Sequence, residues 1–105
     1  MIIVTTDEVK DRSIKEVLGL VQGNTVRARH AGRDIVAGLR ALVGGEVSEY
    51  SRLMAESRQE AVRRMERQAE ILGANAVVCT RLVTAMVMQG SAEMLAYGTA
   101  VILED

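Results

Sequence analysis

The stretch that decides the fold is residues 43–76, which read V-G-G-E-V-S-E-Y-S-R-L-M-A-E-S-R-Q-E-A-V-R-R-M-E-R-Q-A-E-I-L-G-A-N-A. Its apolar side chains recur at spacings near three, four and seven residues, which predicts one face of a helix: Tyr50, Met54, Ala61, Met65, Ala69 and Leu72. Most other positions are Glu or Arg, as on a solvated face, and Glu60 precedes Arg64 by one turn. We predict a helix from Ser48, its N-cap, to Leu72, with Gly73 in the left-handed position that follows.

This helix is expected to pack on a sheet. It would be about 37 Å long at a rise of 1.5 Å per residue, which is long for a small domain. Its apolar stripe is narrow and consists mainly of small or flexible side chains, so it fits a flat apolar surface. A free-standing coiled coil is less favoured, because the seam lacks pairs of Leu, Ile and Val.

Strand-like segments flank the helix. Ile2–Thr5 is a short β-branched run, and Ile14–Arg29 is a longer one. Within the longer segment, Gly23-Asn24 predicts a bend or bulge, whereas Gly19 would mark the close approach of another backbone. A right-handed helical crossover is expected if this segment runs parallel to the strands that follow the helix.

The C-terminal third predicts a β-hairpin. Ala76–Met88 and Ala92–Leu103 are rich in β-forming residues, and Gln89-Gly90-Ser91 between them has the glycine that a tight turn requires. Neither strand alternates cleanly between apolar and polar residues. Both faces are therefore expected to be covered, one by helices and the other by a neighbouring subunit.

A second, shorter helix is predicted over Arg33–Leu42, where Asp34 lies near the positive end of the helix dipole. Gly44-Gly45 then leads into the long helix. A phosphate cradle at this glycine pair is disfavoured, because no Lys with Ser or Thr follows it. The element order is β-β-α-α-β-β. Residues 1–105 thus predict one α+β domain, with a small mixed or antiparallel sheet covered by one long and one short helix.

Composition narrows the classes of function. The 105 residues include no Trp, no Phe and only two Tyr, which predicts a thin core supplemented by contacts between identical subunits. The net charge of −1 favours neither nucleic acid nor an acidic membrane. The single cysteine allows no internal disulfide, and neither a signal peptide nor an apolar span is evident. A cytoplasmic homo-oligomer without nucleic-acid or membrane partners is expected.

Several blocks of sequence, in order, resemble the YbjQ family over nearly the whole chain: G-L-V-Q-G at 19–23, R-D-I-V-A-G-L-R at 33–40, V-G-G at 43–45, E-Y at 49–50, L-G-A-N-A-V-V at 72–78 and M-V-M-Q-G-S-A-E-M-L-A-Y-G-T-A-V at 86–101. The resemblance implies a dodecin-like subunit that assembles into a ring, usually a pentamer. It implies no established biochemical role, although the family carries a heavy-metal-binding label.

Metal ligands are sparse in this sequence. Soft metals need clustered thiolate and imidazole groups, and the chain has only His30 and Cys79, which are distant in sequence. We favour Cys79 as a small buried strand residue and His30 as a loop residue. A ring of identical subunits would nevertheless repeat each ligand once per subunit. A metal site at the oligomer level therefore stays open as the alternative function.

Basic residues cluster in one segment: Arg27, Arg29, Arg33 and Arg40, with His30. The cluster could bind phosphate or nucleic acid, but no aromatic platform for bases accompanies it. We favour Arg33 and Asp34 as interface residues that form ion pairs between subunits. Whether the cluster binds anions is left open.

The chain carries no recognisable catalytic arrangement, since neither G-x-S-x-G nor H-E-x-x-H is present. Tyr50 and Tyr97 are interpreted as core or interface anchors, or as part of a pocket at a subunit junction. We therefore expect a non-enzymatic, ring-forming protein without catalytic or cofactor-binding residues. The hairpin Ala76–Leu103 and the segment Ile14–Arg29 are expected to mediate assembly.

Overall fold

A computed structural model describes residues 1–26, 48–88 and 91–105. Its elements are strand β1 (Ile2–Ile3), strand β2 (Ile14–Val26), helix α1 (Ser48–Ile71), strand β3 (Ala76–Met88) and strand β4 (Ser91–Leu103). The strands form one sheet in the order β1-β3-β4-β2. β1 is parallel to β3, whereas β4 is antiparallel to both β2 and β3. The sheet is therefore mixed, and the predicted α+β class is confirmed.

Several predicted elements lie outside the residues that the structure describes. These are the short helix over Arg33–Leu42, the glycine pair Gly44-Gly45, residues 27–29 of the predicted second strand, and Gln89 and Gly90 of the hairpin turn. The predicted hairpin strands are confirmed, with β4 beginning one residue earlier than expected.

Helix α1 begins at Ser48 as predicted and ends at Ile71. Gly73 has a φ of +88° in the left-handed region, and the backbone N–H of Ala74 donates to the carbonyl oxygen of Ala69 at 3.0 Å, which closes the helix. The placement of Leu72 on the buried stripe was wrong, since this residue is 46% exposed. It follows the last helical residue, where the chain turns toward β3 and helical spacing no longer applies.

The main core lies between α1 and one face of the sheet. Its buried members are Val21, Ala61, Met65, Ala69, Val77, Met94, Ala96 and Ala100. Three of these are helical stripe residues that the apolar spacing predicted. The stripe also contains Ser57, which is 2% exposed and satisfies its hydroxyl by donating to the carbonyl oxygen of Leu53 at 3.0 Å. Small side chains on both sides allow the helix to lie close to the sheet.

The two glycines of β2 have the reverse of their predicted roles. A Cβ atom added at Gly23 would collide with the backbone oxygen of Ala61 and the backbone nitrogen of Met65, so the close approach occurs here. The predicted bend at Gly23-Asn24 is wrong, because β2 pairs with β4 without interruption from Gly19 to Val26. The register shifts occur earlier, at Ile14/Glu16 and Val17/Gly19. Gly19 has a φ of +122°, a conformation that favours glycine at such a bulge.

A second core cluster lies on the opposite face of the sheet, at one end. Its buried members are Ala76, Val78, Val101 and Leu103, against which Ile2, Val4 and Val9 pack. The segment after β1 follows the edge of β3, where the N–H of Val4 donates to Val77 O at 2.9 Å. The chain's own N-terminal segment therefore covers this part of the face, which the sequence reading had assigned to a neighbouring subunit.

Candidate functional site

Few of the predicted site residues have described side chains. His30, Arg33, Asp34 and the basic cluster spanning Arg27 to Arg40 lie outside the residues that the structure describes. Tyr50 lies in the first turn of α1, where only the backbone is described. The structure therefore places Cys79 and Tyr97, which lie on the neighbouring strands β3 and β4.

Cys79 occupies a bulge in β3. The pairing with β4 shifts between Val78 and Arg81, and Cys79 has a φ of +56°, which is uncommon for a residue with a side chain. Its N–H donates to the carbonyl oxygen of Thr6 at 2.9 Å. Gly98 lies beside the bulge, and a Cβ atom there would be 2.7 Å from a methyl group of Val77. Cys79 is thus held in a constrained backbone position, half-buried against the second core cluster.

The surroundings of Cys79 do not form a metal site within one chain. Cys79 packs against the apolar second core cluster, which includes Val78 and Val101. No group of three or more His, Cys, Asp or Glu side chains among residues 1–26, 48–88 and 91–105 is placed to hold a metal ion. A soft metal requires several such ligands, so the described part of one chain does not fit one.

Tyr97 lies in the middle of a polar row across the sheet. It is opposite Arg81 on β3 and Gln22 on β2, and it points away from α1 because its neighbour Ala96 is in the helix-facing core. The guanidinium of Arg81 donates from Nη1 to the carbonyl oxygens of Thr5 and Thr80, both at 2.9 Å. The row therefore has a fixed cationic end beside a half-buried phenol.

Exposed apolar side chains lie on the edge strand β2 and on the part of β3 beyond its pairing with β1. On β2 these are Val17, Leu20 and Val26, at 63%, 68% and 55% exposure. On β3 they are Leu82, Val83 and Met86, of which Met86 is 79% exposed. No charged residue occurs in 17–26 or in 82–88, although charged residues make up 26% of the chain. β2 and β3 thus each present an uncharged stretch with exposed apolar side chains.

The outer edge of β2 is partly covered by side chains of α1. The backbone N–H of Gln22 donates to Oε1 of Gln68 at 2.7 Å, and Nη1 of Arg64 donates to the carbonyl oxygen of Asn24 at 2.6 Å. Arg64 also contacts Glu60, at 3.3 Å. A hydrogen bond from Arg63, together with the charge of Arg64, lowers the pKa of the Glu60 carboxyl group. Helical spacing predicted these polar residues only as a solvated face, because their role at the strand edge depends on the position of β2.

The outer edge of β3 differs from that of β2. Among the described residues, backbone hydrogen bonds between β3 and the N-terminal segment extend along β3 only as far as Thr80. Gln22 directs its backbone groups away from β4, so its partner Tyr97 directs its own toward Arg81 of β3. Because backbone groups alternate in direction along a strand, the N–H and C=O groups of Leu82, Thr84 and Met86 then point outward. No described segment pairs with them.

The sequence profile of a family described as "Putative heavy-metal-binding" matches residues 1–104. The chain belongs to the YbjQ family. Other members include a UPF0145 protein of Clostridioides difficile, 57% identical over 105 residues that cover 100% of this chain and 94% of that protein. A UPF0145 protein of Dehalococcoides mccartyi is 54% identical over 99% of this chain and all of its own. One from Archaeoglobus fulgidus is also 54% identical, over 96% and 94% of the two chains.

A crystal structure supports the fold of this YbjQ-family chain. A protein of unknown function from Pediococcus pentosaceus, described as a member of the DUF74 family, superposes with a TM-score of 0.54. The alignment covers 99% of this chain and 98% of that one, at 17% sequence identity. In the described residues, no helix is long and apolar enough to cross a membrane.

Proposed function

We propose that this chain is a non-enzymatic protein whose immediate activity is assembly into a closed ring of identical subunits. The observation that carries the proposal is the pair of uncharged stretches with exposed apolar side chains, residues 17–26 of β2 and 82–88 of β3, on opposite sides of one sheet. Contacts between two different surfaces of identical chains are head-to-tail, and they close into a ring when the rotation between neighbours allows it. A closed ring buries both apolar surfaces in contacts between subunits, apart from any side chains that line its central channel.

The thin core agrees with this proposal. The largest fully buried side chains in the described residues are Met65, Val21, Val77 and Val101, with no aromatic ring among them. Small domains bury a modest fraction of their surface, so contacts between subunits would add substantially to stability. Five subunits are the expected number, as the resemblance to the family implies.

The polar row of Arg81, Tyr97 and Gln22 is the proposed position of an inter-subunit pocket. It lies on the sheet face that α1 leaves uncovered and crosses the sheet from β3 through β4 to β2. A neighbouring subunit packed over these strands would enclose it on a further side. Enclosed polar groups with apolar surroundings are typical of small-molecule sites.

Metal binding at the oligomer level is a second candidate, favoured by the family description and by the constrained, half-exposed position of Cys79. One chain offers too few ligands in its described part, so thiolates from several copies would have to meet, joined by His30. Metal analysis of the untagged protein tests this idea. Stoichiometric zinc, copper or nickel that is lost in both Cys79→Ser and His30→Ala would support it, and metal-free wild-type protein after metal-supplemented growth would reject it.

Native mass spectrometry and sedimentation of the untagged protein test assembly. We expect a single species at five times the chain mass of 11.4 kDa. A monomer at micromolar concentration would contradict the proposal. Any closed oligomer of another size would retain the assembly and correct only the number of subunits.

A further inference from the structure

The backbone edge of β2 and the edge of β3 beyond its pairing with β1 differ in how far other parts of the chain cover them. An edge strand is a template for pairing with another chain, and proteins commonly protect it with bulges, charges or covering side chains. The second half of β2 is covered by Gln68, which accepts a hydrogen bond from it, and by Arg64, which donates one, whereas its first half has register shifts but leaves the side chains of Val17 and Leu20 exposed. β3 is covered only as far as Thr80 by the N-terminal segment. Leu82–Met86 therefore has none of these protections in the described residues.

Leu82–Met86 is also chemically suited to strand addition. It contains no Pro, Gly or charged residue. Three of its five residues, Leu82, Val83 and Met86, are apolar with exposed side chains. Leu82 and Met86 lie on the helix side of the sheet and Val83 on the other, because strand residues alternate. An added strand would thus meet apolar side chains on both faces and outward-pointing backbone groups between them.

A second copy of the chain supplies a matching surface. The added surface must be uncharged, since a charge placed beside this segment would lose its hydration without gaining a partner. β2 presents such a surface at Val17 and Leu20, where the side chains are exposed and which precede the positions that Gln68 and Arg64 contact. β2 and β3 run in the same direction, because both are antiparallel to β4. A ring in which each sheet continues into the next would therefore join them as a parallel pair.

Resting on the proposed assembly, we infer that the Leu82–Met86 edge of β3 in one subunit receives the Val17–Leu20 side of β2 from the next subunit. The contact is head-to-tail, so each subunit contacts one neighbour through its β2 edge and the other neighbour through its β3 edge. The hydrogen bonds that Gln68 accepts from β2 and Arg64 donates to it confine the contact to the first half of that strand. They also prevent the longer, uninterrupted pairing that would produce an open aggregate.

Two single variants, each blocking one side of the contact, test this pairing. Met86→Lys places a charge on the β3 side, and Leu20→Lys places one on the β2 side. Ile71→Lys is the matched control, because Ile71 is as exposed as Met86, at 79%, but lies at the end of α1. Native mass spectrometry measures the mass of each protein and of an equimolar mixture, and circular dichroism checks that each variant is folded.

Each lysine variant of the contact is expected to be monomeric alone, whereas the control keeps the wild-type mass. The equimolar mixture should form a heterodimer of twice the chain mass, because only one intact pair of surfaces remains. Thr84→Pro, which removes an outward-pointing N–H, should also be monomeric without losing its fold.

Three results would overturn the inference. The first is that Met86→Lys and Thr84→Pro both keep the wild-type mass. The second is that Leu20→Lys forms a dimer by itself through two-fold pairing of β3. The third is that the equimolar mixture stays monomeric well above the concentration at which the wild type assembles. A monomeric wild-type protein would instead reject the proposed function itself.

Discussion

The side-chain oxygen of Gln68 accepts a hydrogen bond from the backbone N–H of Gln22 at 2.7 Å, which joins the last turn of the helix to the outer edge of the sheet. One helical turn earlier, Arg64 makes the corresponding contact with the carbonyl oxygen of Asn24. Two helix side chains thus occupy the outward-pointing backbone groups that another strand would otherwise use. The same contacts tie α1 to β2.

Removing this cover should expose the edge of β2. In the double variant Arg64→Ala, Gln68→Ala, we expect a loss of about 1–2 kcal/mol in the free energy of unfolding, since each net hydrogen bond is worth about 1 kcal/mol. We also expect assemblies larger than the wild type, because the bare edge can pair with other chains. Urea denaturation and light scattering measure the two effects.

The matched control for the cover is Arg67→Ala, which removes an exposed arginine of the same helix. It should leave both stability and mass within the range of ordinary surface substitutions, about 0.5 kcal/mol. Equal aggregation of the control and the double variant would show that loss of positive charge, and not the strand edge, is responsible.

The glycines of β2 offer a second prediction. Gly23→Ala should destabilise the protein by about 3 kcal/mol, because the added methyl group collides with the backbone of α1 and cannot be accommodated by a side-chain rotation. Gly19→Ala should cost about 1–2 kcal/mol, since its positive φ is strained but nothing lies within 4 Å of the added atom. Urea denaturation of both variants gives the comparison.

Asparagine extends the comparison, because the φ of Gly19, +122°, lies outside the αL region near about +57° that asparagine tolerates better than alanine does. Gly19→Asn should therefore be about as stable as Gly19→Ala, whereas Gly23→Asn should be at least as damaging as Gly23→Ala. A larger loss at Gly19 than at Gly23 would contradict the assignment of the close approach to Gly23.

Local signals predicted the elements but not these relationships. The helix start at Ser48, the left-handed Gly73 and the hairpin strands follow from apolar spacing and turn residues, which act over a few positions. The roles of Gly19 and Gly23 were exchanged because they depend on where the helix crosses the strand. Arg64 and Gln68 resemble any solvated helix residues until the edge of β2 is placed beside them.

The candidate site was still less predictable. Tyr97 was singled out, but its row with Arg81 and Gln22 depends on strand register, which the sequence does not specify. The exposure of Leu20 and Met86 could not be predicted either, because the sequence does not distinguish an apolar strand residue in the core from one at an exposed edge. Only the expectation that apolar strand residues exceed what the helix can cover pointed toward these edges.

Cys79 carries the third prediction, because its φ of +56° restricts which side chains the bulge can accept. Cys79→Val should destabilise the protein by about 1–2 kcal/mol more than Cys79→Ser, since a β-branched side chain is strained in the left-handed region while the two variants lose the same sulfur. Cys79→Gly relieves the backbone strain and should be no less stable than the valine variant. Thermal and urea denaturation of the three proteins, under reducing conditions, test this order. If valine were the best tolerated of the three, packing against the second core cluster would outweigh the backbone conformation, and the bulge would not constrain this position.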